Sequence, residues 1–229
     1  MPRTPAHPDT EAAARGRGRP RVIDADRVAE TAIRLWRERG YRATGWKDIA
    51  DATGVSVRTL MRHFGSRADI PWTGVDAATR RLATSLAALP DDVPTGEAIR
   101  RAVVDSVTHS EQVLRAAPDW LAVVAHEPDL LVAAPRAYAP WIGAIAEFIA
   151  DRNPSAPPAI CHALATAYQA AAFAALADWA ADGARENPDR AVDRMLRWLD
   201  VHAPAADDDP EPRPGVTAAA DTRRQEDLP

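Results

Sequence analysis

The residues best suited to chemistry are arginines on one side of a short helical stretch. In Ser56-Val-Arg-Thr-Leu-Met-Arg-His-Phe64, a rotation of about 100° per residue sends Leu60 and Phe64 to one face, and Arg58, Met61 and Arg62 project together from the opposite side. A guanidinium is a planar fork of N–H donors, a shape that pairs with the O6 and N7 acceptors of a guanine edge or with phosphate oxygens. Two such forks beside a flexible apolar side chain, on a helix narrow enough for a major groove, suit the reading of base pairs.

Such a face works only if other elements hold it. Upstream, Trp46, Ile49 and Ala50 share one face of a helix expected over about 45–53. Gly54 follows as the residue that can take a positive φ and turn the chain, Val55 plugs the turn, and Ser56 caps the next helix. A first helix over about 24–39 buries Val28, Ala32, Leu35 and Trp36 and stops at Gly40. After the arginine helix, Ser66 and Asp69 form a capping arrangement. It opens a fourth helix that is expected to run past Pro71, tolerated in a first turn, to about Leu89.

This pattern resembles the TetR family of bacterial transcriptional regulators. The matching residues are Glu38-Arg39-Gly40-Tyr41, Thr44, Asp48-Ile49-Ala50, Gly54-Val55-Ser56, Thr59-Leu60, His63-Phe64 and Ser66-Arg67. They cover about a fifth of the chain. Met61 stands where the family commonly has tyrosine, so a phosphate-binding hydroxyl is exchanged for an apolar group. Arg67 stands where lysine is common, and arginine still serves a phosphate. The resemblance implies DNA contacts from Thr44, Lys47, Ser56, Val57, Arg58, Thr59, Met61, Arg62, His63 and Arg67. It also implies an all-α fold, a homodimer and a small-molecule site in the C-terminal part. A narrower resemblance, carried by Arg58–Phe64, Ala68–Trp72 and Leu89–Pro94, is to actinobacterial members of the family related to mycofactocin-locus regulators. These are associated with acyl-CoA ligands, and the similarity fades after Pro94.

Charge distribution points the same way. The 229-residue chain carries a net charge of −5, but residues 1–65 hold 13 Lys+Arg against 8 Asp+Glu, and the remainder is acidic. A basic head on an acidic body is the footprint of a DNA-binding domain joined to something that does not touch DNA. Residues 1–21 form an expected flexible arm whose Arg17, Arg19 and Arg21 can reach the adjacent minor groove. No stretch of eighteen uninterrupted apolar residues occurs, and the first residues lack the apolar core of a signal peptide, so a cytoplasmic protein without a membrane partner is expected. The single Cys161 reads as a small buried hydrophobe. Nucleotide-binding glycine loops, serine-hydrolase elbows and zinc-protease signatures are absent, and the six histidines are scattered. Neither an enzyme nor a resident cofactor is expected.

Beyond Pro90, helices are expected over about 94–117, 119–127, 129–152 with local breaks at Pro135 and Pro140, 157–182 and 188–202. Residues 204–229 read as a disordered tail. The expected organisation is an arm (1–21), a helix-turn-helix domain (22–66), a helical ligand-binding and dimerisation domain (67–203) and the tail. Leu164, Ala167, Ala171, Ala174 and Ala175 on one long helix, with Val192, Met195, Leu196 and Leu199 on the next, are the candidate dimer seam. Aromatic and polar residues of the middle helices, namely His109, Trp120, His126, Tyr138, Trp141 and Tyr168, are candidates to line a pocket for an apolar or amphipathic effector, acyl-CoA among them.

The reading is a ligand-released repressor that binds a palindromic operator as a homodimer. Two alternatives stand beside it: a helical ligand-binding or enzymatic protein with a vestigial head, and a DNA-binding protein without effector. For the arm, deletion of residues 1–20 should weaken DNA binding and flatten the slope of log K against log salt by about 0.9 per lost phosphate contact. Binding titrations at several salt concentrations measure this, and an unchanged slope would remove the arm from the interface.

Overall fold

A computed structural model describes residues 23–107 and 111–199. Arg17, Arg19 and Arg21, His109 and the expected tail lie outside them. Ten α-helices are described: α1 (Ala25–Arg39), α2 (Trp46–Thr53), α3 (Val57–Phe64), α4 (Val75–Ala88), α5 (Thr95–Val107), α6 (Glu111–Val124), α7 (Pro128–Leu131), α8 (Ala134–Arg152), α9 (Pro158–Ala181) and α10 (Pro188–Leu196). A 3₁₀ helix, Arg67–Trp72, lies between α3 and α4, and no strand occurs among the described residues. The fold is all-α.

Two compact units are present. One comprises residues up to Val75 together with Glu111–Ala137, and the other comprises Asp76–Ser110 with the chain from Tyr138 onward. Packing thus draws a different line from the sequence-based boundary at 66/67, because α6 and α7 group with the helix-turn-helix. In this first unit the apolar faces of the first three helices converge. Val28, Ala32, Leu35 and Trp36 of α1, Ile49 of α2, and Leu60 and Phe64 of α3 are all buried.

Polar contacts tie α6 and α7 to this core. Arg37 pairs with Asp119, and Arg42 pairs with Asp129 at 3.4 Å. The Trp72 indole N–H donates to the Leu130 carbonyl (3.2 Å), and that of Trp120 donates to the Pro71 carbonyl (2.7 Å). The two indoles also meet edge to face at 5.7 Å. The exposed ion pairs contribute little, whereas satisfied indole donors at a buried contact specify how the helices seat.

Three proline expectations are corrected, the first at Pro118: helices expected over 94–117 and 119–127 are instead α5 and an α6 that runs through Pro118 from Glu111 to Val124. The single fourth helix from Ser66 to Leu89 is instead a 3₁₀ helix followed by α4, with Thr73 and Gly74 between them. Ser66 and Asp69 do cap its start, the Ser66 amide donating to Asp69 Oδ2 at 3.2 Å. Pro71 has no amide to give to an i−4 carbonyl, and the turn it occupies closes with tighter bonding. Conversely, α8 runs unbroken from Ala134 to Arg152. Pro135 falls in its first turn, where the missing donor costs nothing, and Pro140 is carried within the helix.

In the second unit, Leu82 and Leu86 of α4 meet Ile99 and Val103 of α5, Ile145 of α8, Tyr168 of α9 and Leu196 of α10 in one core. Cys161 is buried there as a free thiol. Arg100 bonds both Glu97 and Asp193, holding α10 on α5. The hydrogen bond from Arg100, with help from Arg101, keeps the Glu97 carboxyl below its ordinary range.

Candidate nucleic-acid interface

The candidate reading helix α3 has only eight residues, so its ends matter. Gly54 takes φ 71°, the left-handed conformation that ends α2 and turns the chain. Ser56 Oγ then accepts the Thr59 amide at 3.2 Å and lies 2.9 Å from Thr59 Oγ1, satisfying a donor at the helix start. With Leu60 and Phe64 turned inward, Arg58, Met61, Arg62 and His63 are exposed and Val57 and Thr59 are half-buried. His63 lies edge to face against Phe64 at 4.7 Å, at the foot of the helix.

Most arginines of α1 and the turn after it are paired, although exposed Arg27 at the start of α1 has no acidic partner among the described residues. Arg34, Arg37, Arg39 and Arg42 each have an acidic partner, respectively Glu38, Asp119, Asp48 and Asp129. Among the described residues, neither Arg58 nor Arg62 has one. Lys47 is exposed and bonded to Asp51 at 2.7 Å, which raises its pKa and keeps it charged. The α3 face therefore holds two open guanidinium forks, and a complementary surface must bring anions or acceptors to them.

Two expected contacts are corrected. Thr44 is fully buried, and its hydroxyl donates to the Gly40 carbonyl at 3.0 Å, so its side chain serves the α1–α2 turn. Arg67 does not point outward to a phosphate. Its Nη1 donates to the carbonyls of Tyr41 (3.0 Å) and Thr44, and its guanidinium stacks 4.5 Å over the Tyr41 ring. The turn between α1 and α2 leaves carbonyls that no helix satisfies, and Arg67 satisfies them. Burial raises the Tyr41 hydroxyl pKa, against the opposing charge of Arg67. Arg67 is thus a positioning residue. Its separation from Tyr41 in the chain carries no periodic signal that could have revealed the contact.

The candidate pocket residues divide between the two units, and the seam residues between core and surface. Trp120 belongs to the first unit and bonds Pro71, and His126 is exposed with Nδ1 3.0 Å from the Ala122 carbonyl. Tyr138, Trp141 and Tyr168 belong to the second unit, where Tyr138 meets Trp141 edge to face at 6.5 Å and burial raises the Tyr138 hydroxyl pKa. A cavity of about 470 Å³ lies instead beside the C-terminal half of α9 and α10, lined by Ala175, Trp179, Met195 and Trp198 among others. None of the five described candidates, Trp120, His126, Tyr138, Trp141 and Tyr168, lines it. Of the seam residues, Ala175, Val192 and Leu196 are buried in their own core, because the apolar stripe of α10 packs on α9 and α5. Leu164, Ala171, Met195 and Leu199 flank that core, and Ala167 and Ala174 are exposed. No group of three or more potential metal ligands occurs among the described residues.

A turned pair of short helices, the second carrying open guanidiniums, defines a helix-turn-helix DNA-binding protein. Residues 28–70 match the family model of bacterial regulatory proteins of the tetR family, and residues 93–204 match that of the MftR C-terminal domain. Together they span more than half of the chain, which belongs to the TetR family of transcriptional regulators. A protein of Mycobacterium tuberculosis named as a mycofactocin biosynthesis transcriptional regulator, MftR, is 28% identical over 136 residues, covering 59% of this chain and 69% of that protein. Two solved structures share the fold. The fatty acid degradation regulator FadR of Bacillus halodurans has TM-score 0.55 and 13% identity, covering 76% of this chain and 96% of its own. The repressor FadR of Thermus thermophilus, in complex with lauroyl-CoA, has TM-score 0.50 and 19% identity, covering 79% and 98%.

Arg58→Ala and Arg62→Ala should each weaken binding to selected DNA by about 1–3 kcal/mol and relax preference at one base pair. Arg67→Ala should lower the Tm and weaken all DNA sequences alike, with the salt dependence unchanged because no phosphate contact is lost. Thermal melts and binding isotherms at three salt concentrations distinguish the two roles.

Proposed function

We propose that the protein is a homodimeric, ligand-released repressor in which the α3 helices of two subunits read the two halves of a palindromic operator. The observation that carries this reading is the pair Arg58 and Arg62, exposed and without acidic partners on a helix whose other face is fully seated. Val57, Thr59 and His63 flank them on α3, and Lys47 and Ser56 are assigned to the phosphate backbone. One eight-residue helix covers few base pairs, and two related half-sites raise both affinity and selectivity.

The dimer reading has support in α9. By length and composition this helix is apolar enough to cross a membrane, a test that core helices of globular bundles also pass, yet only 28% of its apolar window is buried within the chain. Its uncovered face carries Ile160, Ala163, Ala167, Ala170 and Ala174. Small residues at this spacing let a second copy of the helix approach closely and cover that surface. Ala167→Glu and Ala174→Glu place a charge on the exposed seam without disturbing the core, and should yield folded monomers that no longer hold a palindromic site. Sedimentation of folded variants that remained dimeric would place the interface elsewhere.

For the effector, an apolar or amphipathic small molecule, with acyl-CoAs first among the candidates, fits the helical body and the lauroyl-CoA carried by the Thermus relative. Such a ligand releases DNA only by binding more tightly to a state in which the heads fit the operator poorly. A coupling of about 1–3 kcal/mol is the expected size, and it must be reciprocal: operator DNA weakens the acyl-CoA by the same factor. Titration of a C8–C18 acyl-CoA panel with and without operator measures both sides of that cycle. Unaltered DNA affinity across the panel would leave a regulator unresponsive to this ligand class.

A further inference from the structure

Met61 is the one large apolar side chain of the described head helices α1–α3 that stands substantially in solvent, at 49% exposure. It sits on the reading helix, directly between the two open guanidiniums in sequence order, and its position has a local logic. On α3 it lies one turn beyond half-buried Val57, and a helical side chain leans back over the preceding turn, so Met61 and Val57 make a continuous apolar edge beside the edge formed by Arg58 and Arg62. Four residues further on is Gly65, which has no side chain to cover it. A face built to meet phosphates alone would gain nothing from this strip. A methionine offers neither a donor nor a charge, and holding apolar surface in water is unfavourable.

Among the groups that the bases present in a major groove, the C5 methyl of thymine is the one that projects a methyl, where the corresponding position of cytosine bears only a hydrogen. We propose that Met61, with Val57 behind it, selects a thymine in each half-site by packing on that methyl, while the two arginines take the hydrogen-bonding edges. Met61 is thereby a specificity-determining residue whose partner differs from that of its neighbours in chemistry. The inference rests on the reading that α3 enters the major groove, and it deepens that reading by naming one base and the atom recognised.

The test removes only that atom. Duplexes selected by the full-length protein from a random-sequence pool are remade with each thymine replaced in turn by deoxyuridine, which lacks the methyl and keeps every hydrogen bond. At one thymine per half-site the wild type should bind about three- to fivefold more weakly after replacement, the worth of one buried methyl group. Met61→Ala and Met61→Gln should bind the two duplexes equally at that position, and retain the wild-type response to replacement elsewhere. Deoxyuridine indifference at every position, or a methyl effect that persists in both variants, overturns the assignment. If Arg58→Ala and Arg62→Ala still lower affinity in that case, only the thymine assignment is lost. If they too leave affinity unchanged, the major-groove reading itself is wrong and this proposal falls with it.

Discussion

An eight-residue helix has no stability of its own in water, because the cost of nucleating a helix exceeds what so few hydrogen bonds return. The reading face of α3 therefore exists only because Leu60 and Phe64 are held in a core built with Ile49 and the buried stripe of α1. Everything around the helix serves that seat. Gly54 sets the angle at which the chain arrives, Ser56 closes the first turn, and Arg67 straps the turn preceding α2 by bonding two of its carbonyls. Since the rotational phase of α3 is fixed by its two buried residues, the directions of Arg58, Met61 and Arg62 follow without further adjustment.

The same constraint explains why the helix-turn-helix does not stand as a free three-helix unit. Its compact unit takes in α6 and α7, whose contacts are of two kinds. Arg37 with Asp119 and Arg42 with Asp129 are exposed pairs of modest worth, and Trp72 with Leu130 and Trp120 with Pro71 are indole donors given to backbone carbonyls at an edge-to-face aromatic contact. The second kind is directional and shielded, so a displacement of α6 relative to α1 breaks specific bonds instead of sliding over a greasy surface. That makes α6 and α7 part of what holds the reading head in shape.

In the second unit the last two helices each commit one face to the core. α10 turns Val192 and Leu196 inward, and Arg100 clamps it to α5 through Asp193. α9 buries Tyr168 and Trp179 together with Cys161, Ala165, Ala172 and Ala175, and leaves Ile160 and several alanines exposed on the other side.

Much of this was legible along the chain. The first three helices, the buried stripe of α1, the positive φ at Gly54, the Ser56 cap and the outward set Arg58, Met61 and Arg62 all depend on neighbours three or four residues apart, and local spacing is what a sequence displays directly. The charge contrast between Arg58 and Arg62 and the paired arginines around them was only partly legible: Glu38 and Asp48 are near neighbours of Arg34 and Arg39, but Asp119 and Asp129, the partners of Arg37 and Arg42, lie more than eighty residues away. Nor were the inward roles of Thr44 and Arg67, which resemble outward contacts until the carbonyls they satisfy are brought beside them. The α10 stripe showed its apolar period but not which neighbour would cover it, and Pro71 read as tolerated within one continuous helix, where the chain instead forms a 3₁₀ helix and breaks before α4. The sequence by itself determined the periodicities, caps and net charges that make a DNA-reading head and a helical body. Tertiary structure alone decided which polar groups meet and which faces are already covered, since those depend on residues distant in the chain converging on one point.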